Sequence, residues 1–184
     1  MNEQSQISKS IIAETDHLRF VDRGGWSYIE RKNSNGVVCV AALTSEDEVL
    51  LIEQYRPPVD CSVIELPAGL SGDLADQADE ELEEAARREL LEETGYRATT
   101  LRRHVDLASS AGLTNEVVTM FIAEGLEKVA AGGGDDSEDI VVHKIPIDGV
   151  AKWLARAQVD GKLIDARVYA GVHFLGNNKS DGKK

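Results

Sequence analysis

Acidic side chains lie at spacings that could hold a cation in the segment of residues 80–94. Glu89 and Glu93 are four residues apart, and Glu92 is beside them. In a helix, residues at this spacing lie on the same face, one turn apart. Two such carboxylates repel each other, and a divalent cation bound by both removes the repulsion. The spacing therefore indicates cation chemistry, in which Mg²⁺ takes a few carboxylate oxygens together with phosphate and water ligands.

A helix predicted over residues 80–94 must position these acids. Helix-forming residues fill nearly every position of the segment, and Gly95 follows it, where a C-terminal cap belongs. With about 100° of rotation per residue, Glu89 and Glu93 project within about 20° of Leu82, in the middle of the apolar stripe. Carboxylates held against the body of a protein are costly unless they are paired or bind a cation. The alternative, a solvated and salt-bridged helix face, stays open for this pair and fits the other acids: Glu81, Glu83 and Glu84.

Length, composition and charge narrow the class of protein. The chain has 184 residues, of which 42% are hydrophobic and 29% charged, as in a soluble globular domain with one core. The net charge of −13 argues against broad contact with nucleic acid, since that affinity comes mainly from basic surface. The chain has no apolar run of about 20 residues and no signal-peptide pattern, so we expect a cytoplasmic protein without membrane contact. Cys39 and Cys61 lack metal-ligand spacing, and we expect reduced thiols.

Short strands are predicted to fill most of the remaining chain. Apolar alternation or short apolar runs predict strands at residues 26–32, 37–43, 48–54, 62–66, 101–107, 117–123 and 140–145. The turn at residues 33–36 predicts that the first two strands form a hairpin. Two further helices are predicted at residues 149–157 and 164–174. We expect a flexible leader, a single domain and a flexible tail: residues 1–10, 11–176 and 177–184.

The predicted helix also carries a specific sequence motif. Residues 88–96 read Arg-Glu-Leu-Leu-Glu-Glu-Thr-Gly-Tyr and resemble the second half of the Nudix box, while residues 65–69, Glu-Leu-Pro-Ala-Gly, resemble the segment that opens it. Glu80 also fits the box. The opening glycine lies eleven residues before Glu80 instead of six, which implies a five-residue insertion in residues 70–79, and Tyr96 replaces an aliphatic residue. The longer loop leaves the helix acids intact but can alter the shape of the pyrophosphate cradle.

Four other segments resemble the ADP-ribose pyrophosphatase branch of the Nudix family. They are residues 53–58, 110–116, 137–140 and 161–166, and the resemblance spans residues 26–175. It implies an α/β fold, a Nudix-type α/β/α sandwich with a mixed β-sheet and an N-terminal antiparallel strand extension. It also implies a homodimer whose contact includes the N-terminal strands in residues 11–36, with Trp26 stacked on the nucleobase across the subunit boundary. A buried hairpin tryptophan is the alternative interpretation of Trp26.

The resemblance implies the activity and the residues that carry it. The activity is Mg²⁺-dependent hydrolysis of the pyrophosphate bond of a nucleoside diphosphate linked to another group, foremost ADP-ribose to AMP and ribose 5-phosphate, and Mn²⁺ can replace Mg²⁺. The metal ligands carry over to the Ala68 carbonyl, Glu89, Glu92, Glu93 and Glu138. The catalytic residues carry over to Glu93, Asp136 and Glu138, with the general base left open between the last two. Substrate contacts carry over to Trp26, Arg31, Arg56, Leu70 and Glu116, while Arg88 orients the ligand carboxylates.

A glycine-rich acidic loop at residues 132–138 suits the delivery of a base. Hydrolysis of a phosphoanhydride requires a positioned water and neutralisation of the charge that grows on the phosphoryl oxygens. Bound metal ions supply both, and the glycines let the loop close with its acids after the substrate enters. A solvated acidic loop is the alternative.

Three alternatives to an ADP-ribose pyrophosphatase stay open. A nucleotide-sugar or dinucleotide pyrophosphatase would keep the same helix and change the pocket. A non-catalytic nucleotide-sensing Nudix protein would normally have lost one of the helix acids, and an acidic cation-buffering protein gives no reason to place Glu89 and Glu93 in the apolar stripe. The four histidines show no metal or nucleophile spacing, and we expect structural or surface roles for them: His17, His104, His143 and His173.

Overall fold

The computed structural model of the protein describes residues 8–73, 78–134 and 139–181. Within these ranges the chain forms eleven strands and three α-helices. The strands are β1 (Lys9–Glu14), β2 (Leu18–Arg23), β3 (Trp26–Arg31), β4 (Gly36–Ala42), β5 (Glu48–Arg56), β6 (Cys61–Glu65), β7 (Ala68–Ser71), β8 (Tyr96–Ala108), β9 (Val117–Lys128), β10 (Val141–Pro146) and β11 (Leu163–Ile164). The helices are α1 (Leu82–Thr94), α2 (Val150–Val159) and α3 (Ala166–Asp181).

Three sheets organise the strands. The first three strands form an antiparallel N-terminal sheet. The second sheet has the order β7-β4-β9-β8, in which β4 and β9 are parallel and the outer pairs antiparallel. The third has the order β10-β5-β6-β11, in which β6 and β11 are parallel and the other pairs antiparallel. Both four-stranded sheets are mixed, and the N-terminal antiparallel extension is present.

Helices cover the sheets on two sides. On one side, Leu90 of α1 belongs to a buried cluster with Val38 and Val40 of β4. On the other side, Leu154 of α2 and Val168 of α3 belong to a second cluster with the alternate residues of β4 and with side chains of β5 and β6. Successive residues of a strand point to opposite faces, so the continuous apolar run of β4 contributes to both cores. The predicted α/β/α arrangement is confirmed.

The predicted hairpin of residues 26–32 and 37–43 is wrong. β3 pairs with β2, whereas β4 lies between β7 and β9 in another sheet. The physical reason is burial. Every residue of β4 after Gly36 is buried, which requires a central strand covered on both faces. β3 has one buried residue, Glu30, and suits a sheet that is largely open to solvent.

Regular structure extends into both predicted ends of the domain. β1 begins at Lys9, inside the range predicted as a leader, and α3 ends at Asp181, inside the range predicted as a tail. The sequence pattern does not predict β1, because the strand is exposed along its whole length and carries no burial period.

Both cysteines are free thiols, as predicted. Cys39 is buried, and burial raises the pKa of its thiol to about 12. In the ranges that the structure describes, no helix is long and apolar enough to cross a membrane.

Candidate functional site

Helix α1 presents two acids to the body of the protein. Gly95 has a positive φ of 73° and donates its N–H to Leu91 O at 2.8 Å, which forms a left-handed C-terminal cap. Glu93 is 1% exposed, and the Glu89 side chain is 12% exposed. The Glu92 side chain is 48% exposed. The inward position predicted for Glu89 and Glu93 is confirmed, and the solvated-face interpretation is wrong for this pair.

The backbone that follows β6 approaches these acids closely. The Ala68 N–H donates to Glu93 Oε2 at 2.9 Å. A Cβ on Gly69 would lie 1.9 Å from Glu89 Oε1, so the absence of a side chain there lets the carboxylate approach the backbone. The ligand atom predicted at Ala68 is its carbonyl oxygen, and the structure ties the same residue to the acid pair through its N–H.

Arg88 lies at the centre of the acid cluster. Its guanidinium bonds the two oxygens of Glu80 at 3.0 and 3.1 Å, Glu89 Oε1 at 2.8 Å, Glu92 Oε2 at 3.2 Å and the Leu70 carbonyl at 2.8 Å. The hydrogen bonds to Glu80 are the main cause of a raised pKa of Arg88. Arg88 in turn lowers the pKa of Glu80. The guanidinium thus holds Glu89 and Glu92 in fixed orientations, the contact pattern expected of an orienting arginine.

Hydrogen bonds join the two ends of the insertion in residues 70–79. Ser71 Oγ donates to Glu80 O at 2.5 Å, and the Gly72 N–H donates to Glu80 Oε2 at 3.4 Å. Residues 74–77 lie outside the described residues. Because Glu80 also bonds the orienting arginine, the base of the loop and the helix acids form one connected set of hydrogen bonds.

A cleft of about 720 Å³ opens beside Glu89 and contains most of the predicted substrate residues. Arg31 and Glu116 are far apart in sequence, and Arg31 Nε donates to Glu116 Oε2 at 2.8 Å. Leu70 lines the same cleft. By joining β3 to the segment before β9, the fold brings these three residues to the acid pair.

Two further arginines line the cleft, and a carboxylate holds each of them. Arg56, a predicted substrate residue, bonds Glu65 through Nε at 2.7 Å and Nη2 at 2.6 Å. These hydrogen bonds raise the pKa of Arg56. Arg167, which no sequence pattern singles out, bonds Asp165 through Nε at 2.8 Å and Nη2 at 2.5 Å. The available signal for Arg167 is its place directly after residues 161–166, the segment that resembles the start of the last helix.

Trp26 does not line this cleft in the single chain. It is 61% exposed, and its Nε1 donates to Gly112 O at 3.2 Å. Together with Tyr28 and Thr114 it lines a separate cavity of about 320 Å³. The interpretation of a buried hairpin tryptophan is wrong, because the indole is open to solvent. Stacking on a nucleobase across a subunit boundary stays a prediction.

The two candidate bases, Asp136 and Glu138, lie outside the described residues. The chain just before them packs on the carboxyl end of α1. The Gly133 N–H donates to the Glu93 carbonyl at 2.8 Å, and the Gly134 N–H donates to the Glu92 carbonyl at 3.1 Å. Residues 132–134 are glycines with φ between 75° and 111°, values that other residues rarely adopt. The glycine run therefore brings the chain to the helix that carries the predicted ligands.

The predicted metal ligands suit a hard cation in their chemistry. Glu89 lines the cleft and Glu93 lies one turn along the same helix face, and both offer carboxylate oxygens, the donors that Mg²⁺ prefers. Across residues 8–73, 78–134 and 139–181, no group of three or more acidic, histidine or cysteine side chains lies in metal-binding geometry. Glu138 is outside those ranges. Binding of a cation by these acids stays a prediction, and it would require further oxygen ligands such as phosphate and water.

The histidines do not line the cleft. His143 Nε2 lies 2.9 Å from Glu53 Oε2, and its ring packs against Trp153. His104 and His173 pack against Phe174, and His17 is exposed. These contacts agree with the structural and surface roles expected of them.

Comparisons with known proteins agree with this geometry. The family model described as NUDIX domain matches residues 32–171. Over 141 residues the chain is 32% identical to a methanol dehydrogenase activator of Bacillus methanolicus and 30% identical to an ADP-ribose pyrophosphatase of Bacillus subtilis, with 76% of this chain and 71% of each relative covered. It is 31% identical over 156 residues to a GDP-mannose pyrophosphatase of Klebsiella pneumoniae, with 80% of this chain and 76% of the relative covered. The crystal structure of an ADP compounds hydrolase matches with a TM-score of 0.70 at 19% identity, covering 96% of this chain and 94% of that chain, which shows the fold alone.

Proposed function

Because this chain belongs to the Nudix family, we propose that it hydrolyses ADP-ribose to AMP and ribose 5-phosphate. The family model spans most of the chain, and several relatives at about 30% identity are pyrophosphatases. The chain is a Nudix pyrophosphohydrolase, which cuts the pyrophosphate bond of a nucleoside diphosphate linked to another group. ADP-ribose is placed first because relatives from Bacillus subtilis, Mycobacterium tuberculosis and Saccharomyces cerevisiae are named ADP-ribose pyrophosphatases.

The observation that carries the proposal is the acid pair of α1 beside an arginine-lined cleft. Glu89 and Glu93 face inward, where carboxylates gain most from a bound cation. The same cleft holds three guanidinium groups, which suit phosphate and sugar oxygens: Arg31, Arg56 and Arg167. Acids for a cation and arginines for oxyanions, on a protein of net charge −13, support the proposal of a site for a metal-bound diphosphate.

Nudix hydrolases generally need a divalent metal, and we propose Mg²⁺, with Mn²⁺ able to replace it. The residues that would hold it are the Ala68 carbonyl, Glu89, Glu92, Glu93 and Glu138. When bound, such an ion neutralises charge on the phosphoryl oxygens and lowers the pKa of a water molecule. Because Arg88 bonds Glu89 and Glu92, it orients these acids before the ion arrives.

The other residues of the cleft would bind and orient the substrate. Arg56, fixed by Glu65, presents its guanidinium to a phosphate or ribose oxygen. Arg31 does the same on the side of Glu116, which holds it by a 2.8 Å ion pair. Leu70 supplies an apolar wall. The proton of the attacking water passes to a carboxylate of the acidic loop, Asp136 or Glu138.

A nucleotide sugar is the second candidate substrate. Relatives from Klebsiella pneumoniae, Salmonella and Escherichia coli are named GDP-mannose pyrophosphatases. The acids of α1 would serve either substrate, since both contain the same diphosphate. The choice then depends on the groups that contact the base and the far sugar.

We also propose a homodimer that forms through the N-terminal sheet, with Trp26 stacked on the nucleobase of the partner's site. Exposed apolar side chains of this sheet support the assembly, because a second copy would remove them from water: Ile11, Ile12, Phe20 and Trp26. A cytoplasmic location and the lack of nucleic acid partners remain predictions, supported by the composition and the acidic charge.

A panel of phosphoanhydrides incubated with Mg²⁺, with products resolved by mass, tests the proposed function. We expect AMP and ribose 5-phosphate from ADP-ribose, with a higher kcat/KM than for GDP-mannose or a dinucleoside diphosphate. A preference for GDP-mannose would favour the second candidate. Unchanged activity in excess chelator would contradict the metal requirement, and no turnover of any diphosphate would contradict the proposal as a whole.

A further inference from the structure

The cleft contains a guanidinium to which the roles above assign no specific contact. Arg167 lies in the first turn of α3, and its side chain is 25% exposed. Its partner Asp165 is 22% exposed, and both residues line the cleft beside Arg56 and Glu65. An ion pair at the wall of a cleft can either stabilise the start of the helix or bind what enters the cleft.

Asp165 fixes one edge of this guanidinium. Its carboxylate accepts Nε at 2.8 Å and Nη2 at 2.5 Å, and it also accepts the backbone N–H of Arg167 at 2.7 Å. Three hydrogen bonds to one carboxylate restrict the rotamer of the arginine. Less entropy is therefore lost when a ligand binds to the remaining edge. Within the described part of the chain, the Nη1 atom on that edge donates no hydrogen bond.

Arg56 has the same arrangement on the same cleft. Its Nε and Nη2 bond Glu65, and its Nη1 donates no hydrogen bond to the described residues. The sheet order places the two arginines on either side of Glu65. Strand β6 ends at Glu65 and lies between β5, which ends at Arg56, and β11, which ends one residue before Asp165.

A main-chain contact places Arg167 beside this pair, because the Asp165 N–H donates to the Ile64 carbonyl at 2.9 Å, directly before Glu65. Burial opposes a raised pKa of the Arg167 guanidinium, and the hydrogen bonds and charge of Asp165 outweigh that effect. Arg167 thus lies next to the Arg56–Glu65 pair, in the cleft that Glu89 also lines. A substrate whose diphosphate lies beside Glu89 would extend its far group into the same cleft, where Arg167 forms part of the wall.

We propose that Arg167 is a substrate-binding residue whose open Nη1 edge donates hydrogen bonds to the hydroxyl oxygens of the sugar attached to the far phosphate. This rests on the proposed function, because it requires a diphosphate beside Glu89. A planar guanidinium held by a carboxylate on one edge presents rigid donors on the other, which suits neighbouring sugar hydroxyls. Helix α3 would then contribute directly to the choice of substrate.

The test compares two substrates that differ in the far group. ADP-ribose contains the far sugar, and the methyl ester of ADP keeps the diphosphate without it. In Arg167→Gln we expect kcat/KM for ADP-ribose to fall at least tenfold, mainly through KM, and kcat/KM for the methyl ester to change less than about twofold. Arg167→Lys should recover part of the loss, because an ammonium donates hydrogen bonds without the planar fork.

Arg156→Gln is the matched control. Arg156 also forms an ion pair with an acid, Asp160, but it lies on α2 with its side chain 72% exposed, and it does not line the cleft. This variant should leave kcat/KM unchanged for both compounds.

Equal fractional losses on the two compounds, or an unchanged KM with only a lower melting temperature, would overturn the proposal. If Arg167→Gln does not fold, the double variant Asp165→Asn/Arg167→Gln leaves no unpaired charge, and the same selective loss is expected from it. Wild-type turnover tests the proposed function separately. If the wild type cleaves neither compound, the proposed function fails. Calorimetric Kd values of ADP-ribose for wild type and Arg167→Gln then still test the role of Arg167. Equal Kd values would overturn that role.

Discussion

Replacing Glu93 by glutamine removes one charge from the acid pair of α1 at nearly constant volume. Glu93 is 1% exposed, and its Oε2 accepts the Ala68 N–H at 2.9 Å. The amide oxygen of glutamine keeps an acceptor for this N–H, so the backbone after β6 can hold its position. The variant loses a negative charge one turn from Glu89, and a bound divalent cation depends on that charge.

The expected effects on catalysis and on stability differ in size. We expect kcat to fall at least about a hundredfold, which corresponds to about 2.7 kcal/mol of transition-state stabilisation. The free energy of unfolding without metal should change by less than about 1 kcal/mol. A neutral hydrogen bond replaces a charge-assisted one, at a cost of about 1 kcal/mol, and relief of the repulsion with Glu89 offsets part of that cost.

The assay measures kcat and KM for ADP-ribose across a Mg²⁺ titration, together with metal-free urea unfolding. Glu84→Gln is the matched control, because it makes the same substitution on the exposed face of the same helix. It should leave both quantities unchanged. Equal turnover in wild type, Glu93→Gln and Glu84→Gln would refute the inference that α1 binds the catalytic metal. A loss of folding stability above about 3 kcal/mol in Glu93→Gln would refute the reasoning about the retained hydrogen bond.

Three other predictions concern the backbone beside Glu89, the ion pair between Arg88 and Glu80, and the proposed homodimer. Gly69→Ala should lower kcat at least tenfold, because its Cβ would lie 1.9 Å from Glu89 Oε1, whereas Gly176→Ala, whose Cβ meets nothing within 4 Å, should leave steady-state kinetics unchanged. Arg88 lowers the pKa of Glu80 below its ordinary 4.5, so the stability from this pair is present above pH 4.5 and is lost as pH falls through the lower folded value. Urea unfolding should therefore show wild type more stable than Glu80→Gln at neutral pH, with a difference that shrinks below pH 4.5, and a constant difference would contradict this. Light scattering should give twice the 20.0 kDa chain mass, and a monomer at micromolar concentration would count against the dimer.

The strand pairing predicted from the sequence is wrong where the pairing depends on distant parts of the chain. The turn before β4 suggests a hairpin with β3, yet β4 is apolar on both faces and lies between β7 and β9. A turn pattern shows only that the chain changes direction locally, and it does not show which strands pair. The choice of partner depends on which arrangement buries both faces of the strand, and that is a property of the whole core.

The sequence by itself determined the inward position of Glu89 and Glu93, since the period of a helix is local and the apolar residues that define its buried face lie within the same thirteen residues. Its motif also identified the family. Only the tertiary structure decided which distant groups meet that helix: Arg31 with Glu116, and Arg167 beside the Arg56–Glu65 pair. It also decided that Trp26 is exposed outside the cleft. The physical reason is that a charged side chain far along the chain carries no periodic signal, and its role depends on the partner that folding places next to it.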